Sequence, residues 1–151
     1  MISIDASVIV KWFKKGEEKE DLALKLKDII LSRELIPAIN EYVFLEIIRA
    51  VTKAGFPKGK IEKIKKFLLD LEALGYIKMV KVHEVKELAM NLIYSLDLYA
   101  SDALVLATAI KEKVHLVTED IHLLKENVRK YAKKNGVEVT TLDRLSLLEN
   151  Y

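Results

Sequence analysis

The sequence predicts a three-layer α/β/α sandwich around a mostly parallel central sheet, and three observations carry that expectation. Short β-type runs alternate with amphipathic helical stretches along the chain, and the connections between them are a few residues long. The chain has 151 residues, of which 51% are hydrophobic, enough to bury a sizeable core. One domain over residues 1–151 is expected, with no linker, internal repeat or low-complexity segment.

The first β run is Ile2-Ser3-Ile4, stopped by Asp5, after which Val8, Ile9, Trp12 and Phe13 fall at helical spacing until Gly16. An acidic start over residues 17–21 opens a second helix reaching about Leu31, with Leu22, Leu24, Leu26, Ile29 and Ile30 on its apolar side. A second strand is expected at residues 34–36, ended by Pro37. From Asn40 a capped helix runs to Gly55, and its apolar positions Val43, Phe44, Ile47, Ile48 and Val51 surround Glu46. A basic amphipathic helix follows at 58–74, then a strand at 76–82 and a helix at 83–96. Ser101 and Asp102 have the look of a helix start before the nearly all-apolar stretch 103–110, which marks a central buried helix over 101–113. A strand at 115–118, a helix at 120–135, a strand at 137–140 and a short helix at 142–148 complete the order.

There is no cysteine, which removes thiolate catalysis, Cys-based zinc sites and iron–sulfur clusters. His83, His115 and His122 have no partners at zinc-ligand spacing, so any metal must be held by oxygen. Twenty-five basic and 23 acidic residues leave a net charge of +2, so gross charge announces no nucleic-acid partner. Glutamine is absent and Lys and Glu dominate the charged set, a bias found in proteins that work hot. No apolar run approaches the ~18 residues of a membrane span, and the start lacks the pattern of a signal peptide, so a cytoplasmic protein without membrane association is expected.

In open parallel sheets, ligands bind at the carboxyl ends of the strands near a topological switch point. Asp5 directly follows the first strand, and Glu119-Asp120 follows the strand ending at Thr118. Asp102 opens the apolar helix, and Glu46 stands among Ile, Leu and Phe. A carboxylate in such company is costly to bury unless a cation or hydrogen-bond donors neutralise it. Together these acids point to one shared cation site. Several carboxylates without soft ligands suit Mg²⁺ or Mn²⁺, and metal-assisted phosphodiester hydrolysis needs no side-chain nucleophile. Taken singly, Asp5 and Asp102 also fit helix caps or first-turn acids, and Asp120 opens a helix. Three acidic caps at one sheet edge make that reading the weaker one.

Four segments then carry a family resemblance over nearly the whole chain: Ile-Asp-Ala-Ser-Val at 4–8, Pro37 followed by Phe-Leu-Glu-Ile-Ile-Arg at 44–49, Ser-Asp-Ala-Leu-Val-Leu-Ala-Thr-Ala at 101–109, and Leu-Val-Thr-Glu-Asp at 116–120. In that order they resemble the PIN-domain family, and most closely its small VapC-like toxin ribonucleases. The resemblance implies a Mg²⁺- or Mn²⁺-dependent endoribonuclease in which Asp5, Glu46, Asp102 and Asp120 bind metal, with Ser7 and Thr118 as supporting hydroxyls. It also implies an RNA substrate, a small antitoxin protein as partner and a homodimer or higher even oligomer. Glu41 competes with Glu46 for the second acidic position, and Leu123 stands where many relatives carry a further acid.

Other readings compete. A haloacid-dehalogenase-type phosphatase wants a second Asp where this chain has Ser7, and a receiver wants an acid pair after the first strand. An inactive PIN-like RNA-binding or scaffold module, or a stand-alone RNA-processing nuclease, shares the resemblance. The basic runs Lys58, Lys60, Lys63, Lys65, Lys66 and Arg129, Lys130, Lys133, Lys134 read as solvated helix faces, unless one flanks the acidic cleft and holds RNA phosphates. Trp12, Phe13, Tyr42 and Phe44 read as core or interface, and His122 as a surface residue.

Overall fold

A computed structural model of the protein describes residues 1–145. Five strands, β1 (Ile2–Ile4), β2 (Ala38–Asn40), β3 (Lys78–Val80), β4 (His115–Val117) and β5 (Val139–Thr140), form one all-parallel sheet in the order β3-β2-β1-β4-β5. Helices α1 (Ala6–Ile9), α2 (Glu20–Leu31), α3 (Tyr42–Lys53), α4 (Lys58–Ala73), α5 (Val82–Leu96), α6 (Ala100–Glu112) and α7 (Glu126–Lys134) connect them, giving the three-layer α/β/α sandwich. The chain first adds strands on one side of β1 and then crosses to the other, so the switch point lies between β1 and β4. Their register pairs Ile2 with His115, Ser3 with Leu116 and Ile4 with Val117, which sets Asp5 beside Thr118 at the carboxyl edge.

Helix α6 is the centre of the core. Every residue from Asp102 to Ala109 is buried, and the helix packs on β1, β2, β4, α3 and α5. A helix apolar on all sides has no face to give to water, and this one is covered accordingly. Asn40, 1% exposed, ties β2 to it by donating to Thr108 Oγ1 at 3.1 Å. Trp12 and Phe13 belong to the interior as expected, with Phe13 edge-on to Phe67.

Gly55 and Gly136 stop α3 and α7 in the left-handed region, at φ +79° and +75°. In each case the residue beyond reaches back to a carbonyl of the last turn, Phe56 N–H to Val51 O at 3.2 Å and Val137 N–H to Ala132 O at 2.9 Å. No single helix among the described residues is long and apolar enough to cross a membrane.

Several expected boundaries move. The second strand is at 38–40 rather than 34–36, because the β-type run Leu35-Ile36 is only half covered, with Ile36 40% exposed, whereas Ala38, Ile39 and Asn40 are buried between β1 and β3. Pro37 does not end this strand; its carbonyl accepts from Lys78 N–H at 2.8 Å just before the ladder begins. Asn40 is thus a strand residue, although its Oδ1 still accepts from Tyr42 N–H at 2.9 Å. The strands expected at 76–82 and 137–140 shorten to β3 and β5. The first helix passes into a 3-10 turn at Val10–Trp12. The helix expected from Asp120 starts only at Glu126, since Asp120 Oδ1 takes the His122 N–H at 2.8 Å and buried Leu123 pins a turn. Helix α6 begins at Ala100 with Tyr99 as its N-cap, so Ser101 lies inside its first turn. Of the helix expected at 142–148, a 3-10 turn at Leu142–Arg144 is present and the remainder lies outside the described residues.

Candidate active site

The end of β1 delivers Asp5, 4% exposed, to the switch point. Its Oδ1 accepts the Ser7 backbone N–H at 3.1 Å and the Ser7 hydroxyl, and its Oδ2 accepts the Thr118 hydroxyl at 2.7 Å. Each hydroxyl is oriented in turn. Ser7 Oγ accepts the Glu119 N–H at 2.9 Å, and Thr118 Oγ1 accepts the Asp120 N–H at 3.0 Å. A hydroxyl accepting an amide proton directs its own proton elsewhere, and here both go to Asp5. The carboxylate is thereby fixed by the loop that also carries Asp120. Burial outweighs these hydrogen bonds and, with the charge of Asp120, pushes Asp5 up to about 6.

Asp102, in the first turn of α6 and 6% exposed, is pushed up to about 7. Burial is the leading cause, followed by the charge of Asp120 and a hydrogen bond with it, then the charges of Asp5 and Glu46. Glu46, half-buried on α3, is pushed up to about 7 by burial and then by the charges of Asp5 and Asp120, against a hydrogen bond from Ser101. Each shift names other members of the same set. The fold therefore brings Asp5, Glu46, Asp102 and Asp120 into one electrostatic neighbourhood.

Glu41 and Glu119 are employed elsewhere. Glu41 is exposed and its Oε1 accepts the Val82 N–H at 2.8 Å, at the start of α5. Glu119 pairs with Lys19 at 2.9 Å and accepts the Leu142 N–H at 2.8 Å. Among the described residues, by contrast, no Lys, Arg or His forms an ion pair with any of the four clustered acids. Nor do three His, Asp or Glu side chains converge closely enough there to chelate an ion unaided. Two buried and two half-buried carboxylates, with no counter-ion among the described residues, are oxygen donors of the kind that suits a hard divalent cation keeping part of its water shell.

The basic run on α7 does not flank these acids. His115, Arg129 and Lys133 line a cavity of about 480 Å³ at the amino ends of β4 and β5, the opposite edge of the sheet. On α4, Lys65 and Lys66 pair with Glu62 and Asp70 on their own helix. Leu123 is fully buried in the core. Two features escaped the sequence reading. Ser101, read as a cap, donates to Glu46. Tyr99, three residues before Asp102, packs edge-on against His122 with ring centroids 5.3 Å apart. No periodicity marks such a pair, because its partners lie on separate loops.

The fold and site can be set beside known proteins. A family model described as "PIN domain" matches residues 2–130. No curated protein matches the chain. Among solved structures, one described as a toxin-antitoxin complex from Klebsiella pneumoniae is 17% identical, with a TM-score of 0.57 over 91% of this chain and 95% of its own. Another, described as FitAB bound to an IR36 DNA fragment, is 18% identical, with a TM-score of 0.65 over 97% of this chain and 98% of its own. At such identities the two structures show a shared fold, and the family model shows the rest: the chain belongs to the PIN domain family.

Proposed function

We propose that the protein is a Mg²⁺- or Mn²⁺-dependent endoribonuclease, acting as the toxin of a toxin–antitoxin pair. The observation that carries this reading is the set of four carboxylates, Asp5, Glu46, Asp102 and Asp120, whose charges raise the protonation of Asp5, Glu46 and Asp102 at the switch point with no cationic side chain among the described residues paired to them. These four would hold the metal. A bound Mg²⁺ or Mn²⁺ supplies Lewis acidity toward phosphoryl oxygen and makes water easier to deprotonate.

The chain's own residues prepare that chemistry. Ser7 and Thr118 hold both oxygens of Asp5, so this ligand pays little ordering entropy when a cation arrives. Asp102 and Glu46, raised to about 7, must give up their protons to act as ligands, so cation binding releases protons near neutral pH. Neutralising the cluster also removes the repulsion that four acids exert on a phosphodiester backbone.

The antitoxin partner rests on analogy with the structure described as a toxin-antitoxin complex. A homodimer or higher even oligomer is the proposed assembly. Leu45 and Tyr42 on α3, 64% and 37% exposed, are side chains such contacts would cover, whereas α2 exposes no large apolar residue.

Two measurements test the reading. Purified protein incubated with single-stranded RNA should produce internal cuts in Mn²⁺ and none in EDTA. Affinity purification from the native host should recover a small protein partner. Internal cutting without a partner would favour a stand-alone RNA-processing nuclease, and metal binding without cutting would leave an inactive module.

A further inference from the structure

Beside the four acids lies a feature the chemistry above does not use. Tyr99 and His122 meet edge to face, at 87° between ring planes, and they come from the two segments that carry Asp102 and Asp120. Both are anchored at fixed offsets from those acids. The Tyr99 carbonyl accepts the Ala103 N–H at 2.9 Å as α6 begins, and the His122 N–H donates to Asp120 Oδ1 at 2.8 Å. Tyr99 is nevertheless 68% exposed, so much of its ring surface is open to a ligand. Next to the pair is a cavity of about 250 Å³ lined by Asp97, Leu98, Tyr99, His122 and Lys125. Its walls combine aromatic surface with one anionic acceptor and one cationic donor.

We propose that this cavity is a nucleobase subsite, in which a base of single-stranded RNA next to the cleaved linkage stacks on the Tyr99 ring. The perpendicular contact with His122 steadies that ring. Asp97 and Lys125 offer an acceptor and a donor to the base edge or to the neighbouring phosphate. Base stacking on an aromatic ring tolerates any base, so the subsite adds affinity and positions the strand without imposing a strict sequence. The proposal rests on the RNA reading and specifies where the substrate is gripped.

The test uses the full chain with Asp102→Asn, so that RNA survives, and a fluorescein-labelled single-stranded RNA hexamer in Mn²⁺. Adding Tyr99→Ala should weaken binding roughly 5- to 100-fold, while Tyr99→Phe should stay within about 2-fold, since stacking needs the ring and not the hydroxyl. Among hexamers with one abasic position, at least one should bind the Ala and Tyr forms alike. With Asp102 intact, Tyr99→Ala should raise KM for the hexamer and spare kcat. Unchanged affinity in Tyr99→Ala, or a loss in Tyr99→Phe as large as in Tyr99→Ala, would overturn the subsite. A protein that cleaves no RNA yet loses affinity with Tyr99→Ala would refute the nuclease reading alone. One that cleaves and binds as before with Tyr99→Ala would refute the subsite alone.

Discussion

At the residue scale, the decisive arrangement is the hydroxyl clamp on Asp5. Ser7 and Thr118 each accept an amide proton from the following loop and donate to one carboxylate oxygen, so the acid cannot rotate away from the switch point. Ser7→Ala or Thr118→Val should therefore lower Mn²⁺ affinity or cleavage about 10- to 100-fold with the fold intact, as loss of a ligand-orienting contact does elsewhere; calorimetric Mn²⁺ titration beside an RNA assay reads both. The raised acids make a second expectation. Asp5, Glu46 and Asp102, at about 6, 7 and 7, bind protons more tightly folded than unfolded. Their contribution to stability is complete below about pH 4 and is lost as pH rises through 6 to 7. The metal-free Tm should thus fall over that window, less so in Asp102→Asn, and Mn²⁺ should raise Tm more at pH 7.5 than at pH 5. A Tm of the metal-free chain that climbs between pH 5 and 7.5 by as much in wild type as in Asp102→Asn would contradict the crowding. Of these residues the sequence made Asp5, Asp102 and Asp120 legible, because each abuts a strand end or a helix start. The choice between Glu41 and Glu46 was not legible, since it depends on Glu41 being drawn to the amino end of α5, a contact across 41 residues of chain.

At the element scale, α6 organises everything else. It supplies Asp102 at its first turn and covers the sheet with the rest of its length, so packing and site geometry share one helix. Leu106, fully buried, is the simplest probe: Leu106→Ala should cost about 2–5 kcal/mol in urea unfolding through the lost burial and the cavity left behind. This helix was readable from composition alone, because a run with Thr108 as its one polar residue has no solvent face. The slips came where strands are short. Three-residue strands carry almost no periodicity, so the β-type run at 34–36 outweighed the buried segment 38–40, whose role is set by hydrogen bonds to β1 and β3. The late start of α7 has a similar origin, because the Asp120 side chain satisfies the amide two residues on and makes a turn where helix propensity suggested a helix.

At the scale of the whole molecule, a net charge of +2 conceals a local concentration of acid at the carboxyl edge of the sheet, where Asp5, Glu46, Asp102 and Asp120 share one neighbourhood. On the proposed function, RNA approaching the site would meet a negative cluster, and neutralisation by a divalent cation would allow contact. The absence of cysteine and of zinc-spaced histidines agrees with that chemistry, and both were evident from composition. Binding of RNA should accordingly require divalent metal and fall when EDTA removes it, at constant ionic strength. The most direct test of the shared carboxylate site is internal cleavage of a single-stranded RNA pool in Mn²⁺ by wild type and by Asp102→Asn, with folding checked by circular dichroism. Loss of more than about 100-fold in Asp102→Asn, with the same spectrum, is the expected result; cleavage by the folded variant at the wild-type rate would contradict it.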